Sequence, residues 1–434
     1  MKYFAPFIFM LFILAGCSDT PVPEPSAQRI PSSHENSTDV PVLPEETPAR
    51  QDTPVPSVKM EDMGPVSDKP IIAADLDFDR DEVVAEMSQV ASAVQDIIEG
   101  VSPVDSIGRT VFDVSDEERQ MLLYRIGQLG YATADAKMDM GNPELIRSFY
   151  EAFESGMDAE AGIYTFDGTI CRITFLCREG VIYRSVSSIQ WDSMMQSVID
   201  FDEEMYETPV FILTPKGYLF YGSDEASILH ARTVSMLRVE PLGDENRRAL
   251  QKYIDPLVSY ASTGVFSLDW DNADLSVINF NDIFEFLYTL EYGVSADTVF
   301  TDRYIANRTN QRAVPAADFE AIITKYFFVS AESLREMAIY DSERQMYAFA
   351  PMMSPDASPA WEVVACDQSG DGTLVIQMEA VSPENLLDCA VSNTVEIVPY
   401  EDGSFRYISN RIMRHDEVVL SAVPAFQEYV PRAH

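Results

Sequence analysis

Twice along this chain, apolar residues spaced at the helical period give way to apolar residues that alternate, and no other feature constrains the fold as much. In the first pass, Asp81 to Glu99 carries Val83, Val84, Met87, Val90, Ala91, Val94, Ile97 and Ile98 at steps of three and four, which predicts an amphipathic helix ended by Gly100. Ser115-Asp116-Glu117-Glu118 is a capping box, because the serine can accept from the backbone three residues on while Glu118 reaches back. It opens a helix expected to turn Met121, Leu122, Ile126 and Leu129 inward and to close at Gly130. Pro143 suits the first turn of a third helix carrying Leu145, Ile146, Phe149, Tyr150 and Phe153. The period then becomes two over Gly162–Phe166, Thr169–Cys177, Val181–Ile189, Val210–Leu213, Tyr218–Tyr221 and Thr233–Val239. Tight connections at Arg178-Glu179-Gly180 and Thr214-Pro215-Lys216-Gly217 are hairpin chemistry.

Pro241-Leu242-Gly243-Asp244 interrupts the pattern, so one unit is expected over residues 71–243 and a second over 244–434. The second unit repeats the order. Arg247 to Ala261 reads as helix with a kink at Pro256, Asn281 to Tyr292 as a helix with Phe284, Leu287, Tyr288 and Glu291 on one side, Pro315 starts a third, and Ser333-Leu334-Arg335-Glu336 caps a short fourth. Strands follow at Met346–Ala350, Trp361–Cys366, Thr373–Met378, Thr394–Pro399 and Phe405–Ile412, with turns at Ser369-Gly370-Asp371-Gly372 and Glu401-Asp402-Gly403-Ser404. The fold class is therefore α+β, each unit being helices followed by an antiparallel meander.

What precedes the first unit has another composition. Lys2 gives a positive start, Tyr3 to Leu14 is a short apolar run, and Leu14-Ala15-Gly16-Cys17 follows. This order resembles the lipobox of bacterial lipoproteins. The resemblance implies a signal peptide over residues 1–16, cleavage before Cys17, lipidation of Cys17, and a location on the cell membrane facing away from the cytoplasm. Residues 17–70 repeat Thr-Pro-Val-Pro at Thr20 and Thr53 among many further prolines, a composition that cannot bury a core and suits an extended tether.

Charge narrows the partners. Against 71 acidic residues stand 30 basic ones, a formal net charge of −41, which repels nucleic acid and anionic headgroups and leaves the lipid as the membrane contact. The five cysteines include no CxxC, and with four histidines they do not suggest zinc. Cys171 and Cys177 fall on one strand, about 20 Å apart and so beyond mutual bridging. Cys366 and Cys389 fall on separate strands and would pair only if those strands were neighbours.

Catalytic signals are faint. His34, His230, His415 and His434 stand in polar surroundings, and no Gly-x-Ser-x-Gly elbow occurs. Two acidic runs each offer half of a calcium loop. Asp75, Asp77, Asp79 and Glu86 match positions 1, 3, 5 and 12, with Arg80 where glycine is needed. Asp367, Ser369, Asp371 and Gly372 match positions 1, 3, 5 and 6, with Met378 in place of the bidentate glutamate. The simpler readings are acids at a helix entry and a hairpin turn, so no metal or other cofactor is assigned.

Tyr253-Ile254-Asp255-Pro256-Leu257, Leu268-Asp269-Trp270-Asp271-Asn272, Asp318-Phe319-Glu320 and Tyr340-Asp341-Ser342 resemble uncharacterised lipoproteins of anaerobic Gram-positive bacteria. The closing Gly403 to Asn410 is similar to the end of NTF2-like domains, in which helices pack on a curved sheet. These likenesses imply a class and no activity. The expected function is a cell-surface binding or scaffolding module for an envelope protein, a peptide or a glycan. The alternatives are an envelope enzyme that uses carboxylates on wall glycans and a solute-capture lipoprotein serving a transporter.

Overall fold

The computed structural model describes residues 71–72, 76–101, 103–106, 109–191, 197–200, 204–223, 233–258, 265–304, 311–350 and 360–415. All belong to one compact unit, Met63–His434. Cys17 and the tether lie outside the described residues, as do Asp75, His34, His230 and His434.

The first half begins with β1 (Ile71–Ile72) and α1 (Arg80–Ile98), then the hairpin β2 (Pro103–Ser106) and β3 (Arg109–Phe112), and α2 (Asp116–Gln128). After β4 (Ala132–Ala134), β5 (Met140–Gly141) and α3 (Glu144–Glu154) come β6 (Ala159–Phe166), β7 (Ile170–Arg178), β8 (Val181–Trp191), β9 (Ser197–Asp200) and β10 (Glu204–Glu207). A second sheet is built from β11 (Val210–Leu213), β12 (Tyr218–Ser223) and β13 (Thr233–Arg238). The large sheet runs β1-β10-β8-β7-β6-β4-β5 with β9 beside β8, antiparallel except for the parallel β4–β6 pair. Glu179 and Gly180 take φ of 51° and 80°, which makes the β7–β8 connection a two-residue hairpin turn.

Strand alternation gives the large sheet two apolar faces. Tyr164, Ile170, Leu176 and Ile189 meet Met87, Val90 and Val94 of α1 and Leu122 and Ile126 of α2. Ile163, Phe175 and Ile182 meet Ile146 and Phe149 of α3 and Phe211, Leu219 and Leu237 of the small sheet. The expected helices are all present, and the Ser115–Glu118 capping box forms on α2. Two inward assignments are corrected, since Met121 of α2 and Leu129 at its C-cap are exposed, and Leu145 of α3 is exposed as well. Each helix meets the sheet along a narrower stripe than its apolar residues span, so the residues at the flank stay wet.

The second half runs α4 (Asp244–Ala249), a π turn (Leu250–Ile254), α5 (Asp255–Val258), β14 (Trp270–Asp271), α6 (Phe280–Tyr292), α7 (Ala296–Val299) and β15 (Arg312–Pro315). It continues with α8 (Ala316–Tyr326), α9 (Ala331–Met337), β16 (Tyr340–Asp341), β17 (Met346–Phe349), β18 (Ala360–Gln368), β19 (Leu374–Ser382), β20 (Leu387–Pro399) and β21 (Phe405–His415). The main sheet is β14-β21-β20-β19-β18, and β15-β17-β16 form a small one. Val363, Ile376, Met378, Val395, Ile397 and Tyr407 line one face of the main sheet and pack on α6, α8 and the π turn.

Pro256 has no amide hydrogen, so the Lys252 carbonyl cannot receive the usual helical bond, and the chain widens to the π turn just before it. The hydroxyl of buried Tyr407 donates to the Tyr253 carbonyl at 2.6 Å, anchoring that turn to the sheet.

The expected α+β class, with helices followed by an antiparallel meander, is present in both halves. The short strands β2 to β5 and β14 to β16 lie among the helices, because two to four residues are too few to display a period. The cap of α9 is Ser330, which accepts from Ser333 N at 3.1 Å, rather than Ser333. No disulfide joins Cys366 to Cys389, since β19 lies between their strands.

Candidate functional site

Two places gather polar side chains in the interior. The first is the seam between the halves. Tyr218 and Arg238 face the same way because they are cross-strand partners in β12 and β13, and Glu362 and Glu379 do so in β18 and β19. The two pairs meet face to face, over an apolar contact of Phe220 and Val234 with Val381. Arg238 lies 3.6 Å from Glu362 and 3.4 Å from Asp139, with the arginine and glutamate side chains 6% and 7% exposed. Tyr218 donates its hydroxyl to Glu362, and Lys216, in the hairpin turn before β12, pairs with Glu379. Arg247 of α4 donates to Asp139 at 3.2 Å, and Lys137 pairs with Asp255. The phenol of Tyr218 is pushed well above its ordinary range, first by burial and then by the Glu362 charge. No strand pairing crosses Gly243 among the described residues, so these groups and the small apolar contact form the junction.

The second place lies under α1, on the helix-facing side of the large sheet. Arg172 of β7 is 3% exposed and occupies the middle of a row with Tyr164 on β6 and Ser187 on β8. The next row is Gly162, Thr174 and Ser185. Gly162 leaves room for the guanidinium, since a Cβ there would stand 2.5 Å from Arg172 Cζ. Arg172 donates from Nε to Glu86 of α1 at 2.9 Å, from Nη2 to Glu160 at 3.4 Å, and also to the Thr174 hydroxyl. Tyr164 donates to Glu86 at 2.8 Å. The ring of Tyr131 rests against that of Tyr164, with centroids 5.5 Å apart, and the exposed Gln89 lies at its hydroxyl.

Burial raises the Glu160 carboxyl above its usual range, and the Arg172 charge opposes that rise. Burial followed by the Glu86 charge raises the Tyr131 phenol. The hydroxyls of Ser185 and Ser187 are buried and find no hydrogen-bond partner among the described residues.

The residues singled out from the sequence go elsewhere. Asp79 caps α1 by accepting from Glu82 N at 3.1 Å, and Asp77 precedes it at φ 51°. Glu86, the twelfth position of the supposed loop, faces Arg172. Asp371 accepts from Thr373 N at 3.0 Å inside the β18–β19 hairpin, which holds its carboxyl below the usual range, and Ser369 N closes that turn on Thr373 O. Asp367 is paired with Val375 in the ladder, and His415 ends β21. No cluster of three metal-ligating side chains occurs among the described residues.

Sequence reasoning passed over Arg172, Arg238 and Glu362. An arginine inside a run of strand-forming residues, as in Ile170-Cys171-Arg172-Ile173-Thr174, was the available signal.

Residues 80–427 match a protein family of unknown function, DUF6070. No curated protein and no solved structure matches the chain.

Proposed function

The chain belongs to this family, and from that premise we propose that it is a lipid-anchored protein of the cell surface that binds or scaffolds an envelope component. Cys17 would carry the lipid, and residues 17–70 would hold the folded part away from the bilayer. The single observation that favours binding over turnover is the use of charge at the seam. With 30 basic residues against 71 acidic ones, four basic side chains (Lys137, Arg238, Lys216 and Arg247) converge on one junction. Groups held in mutual pairs fix a shape, and a fixed shape presents a surface with little ordering cost. We place the division of the two domains at Gly243, where the sheets separate. We read the C-terminal end, Gly403 to Asn410, as similar to that of NTF2-like domains, a reading favoured by α6 and α8 packing on one face of a sheet.

The test is Cys17→Ala in cells fed a fatty-acid analogue. Loss of label and release of a folded protein from the membrane fraction is expected, with cross-linked neighbours of the unaltered protein drawn from the envelope. A variant that keeps its label, or neighbours drawn only from the cytoplasm, would overturn the reading.

A further inference from the structure

We propose that the rim above Arg172, formed by Glu86, Gln89, Tyr131 and Glu160, is a binding site for a neutral, hydroxyl-rich ligand, a segment of glycan. The proposal rests on the surface-binding reading and gives it a ligand class.

Glu86 and Glu160 are partly open to solvent, with side chains 22% and 34% exposed, while the arginine that holds both is buried. One guanidinium therefore fixes two carboxylates from below, and each is held through Oε1. Carboxylates ordered in this way accept hydrogen bonds from adjacent hydroxyls at little entropic cost. Tyr131 adds a half-buried ring whose face can cover the apolar side of a sugar, and its phenol reaches the Gln89 amide at 3.5 Å. An apolar body joined to a few convergent polar groups is the composition of a small-ligand site.

Charge selects the class. Arg172 lies between Glu86 and Glu160, and Arg178, held on the carbonyls of Leu76 and Ala159, adds its field at Glu160. Two positive and two negative groups balance locally, on a chain whose net charge is −41. A cation gains nothing there beyond what the rest of the surface offers, and an anion is repelled by the chain as a whole. A neutral ligand that exchanges hydrogen bonds is what remains.

A second observation points the same way. Ser185 and Ser187, 3% and 1% exposed, carry unpartnered hydroxyls on the same sheet face, directly across from Thr174 and Arg172. A face built only to pack against α1 would place apolar side chains there, as Ile189 does two residues further along β8. The hydroxyls continue the polar rows of Arg172 and Thr174 onto β8.

The experiment uses the full-length protein in detergent, titrated with three tetrasaccharides: β-1,4-linked N-acetylglucosamine, α-1,4-linked glucose and, as the charged control, galacturonic acid. Calorimetry gives affinity, and the part of the tryptophan emission that is lost in Trp191→Phe gives a local signal, since Trp191 lies on the same strand face as Ser185 and Ser187. At least one neutral tetramer is expected to bind, with Gln89→Ala and Tyr131→Ala each weakening it about tenfold or more. Gln89 is exposed, so its variant keeps the fold even if that of Tyr131 does not. Binding of the galacturonic acid tetramer alone, no neutral binding at millimolar concentration, or binding unmoved by Gln89→Ala would each overturn the proposal. Envelope neighbours in intact cells together with no saccharide binding would sink this site and leave the surface-binding reading standing. Saccharide binding by a protein that stays in the cytoplasm would do the reverse.

Discussion

Replacing Arg238 by methionine removes the central charge of the seam while keeping most of the side chain's bulk. The variant leaves Glu362 and Asp139 in an interior where their side chains are 7% and 12% exposed. Breaking a buried ion pair from one side costs about 3–5 kcal/mol, because the remaining charge stays desolvated. Each acid keeps one other cation, Lys216 at 3.8 Å from Glu362 and Arg247 at 3.2 Å from Asp139, so the lower end of that range applies. The guanidinium also lies 5.3 Å from the centre of the Tyr218 ring, and losing that contact adds roughly 0.5–1 kcal/mol.

The expected loss is about 3.5 kcal/mol. If residues 63–434 unfold together, the entropy of a chain that size converts this to about 4–5 °C in melting temperature, whereas the half after Gly243 unfolding alone would lose about 9 °C. Urea titration gives the free energy, and calorimetry shows whether one transition or two is present. Adding Glu362→Gln should return part of the loss, since it removes the stranded charge. A single variant that costs less than about 1 kcal/mol, or a double variant no better than the single one, would refute the view that this pairing holds the halves together.

Two further outcomes follow from other buried groups. Gly162→Ala drives a methyl group into the Arg172 guanidinium, 2.5 Å from Cζ, and should cost about 1–3 kcal/mol by urea titration; a neutral effect would mean that the arginine does not lie across β6. Glu285 of α6 is buried, with Ser295 donating to it at 2.6 Å, and burial first, then the Asp297 charge, raises its carboxyl above the ordinary 4.5. A raised folded-state value means that the stabilising contribution of the protonated form is complete below pH 4.5 and is lost as pH rises through the folded value. Glu285→Gln should therefore match the unaltered protein at pH 4 and exceed it in melting temperature at pH 7, and equal melting temperatures at pH 7 would contradict this.

The sequence by itself determined the class of the fold and most of its long elements. The period of α1 is readable because its apolar residues run for five turns without a break, and Ser115 and Glu118 announce α2 because a capping box is local chemistry between residues three apart. The hairpins at Glu179-Gly180 and at Gly217 were legible for the same reason, as φ values of 51°, 80° and 82° call for residues that tolerate them. The place of β4 and β5 in the large sheet was not legible, nor which flank of α2 stays wet, because partners distant in sequence decide both.

The separation between local and distant information is sharper at the two polar sites. Neither carboxylate that pairs with Arg172 lies within ten residues of it. Its partner Glu86 is 86 residues away, and Glu160 reaches it only because β6 lies beside β7. Arg238 is likewise read as a strand residue until the folded chain brings Glu362 to it from the other half. Local sequence carries propensity and turn geometry. The desolvation of a charge, and the opposite charge that offsets it, belong to pairs that only the tertiary structure brings together.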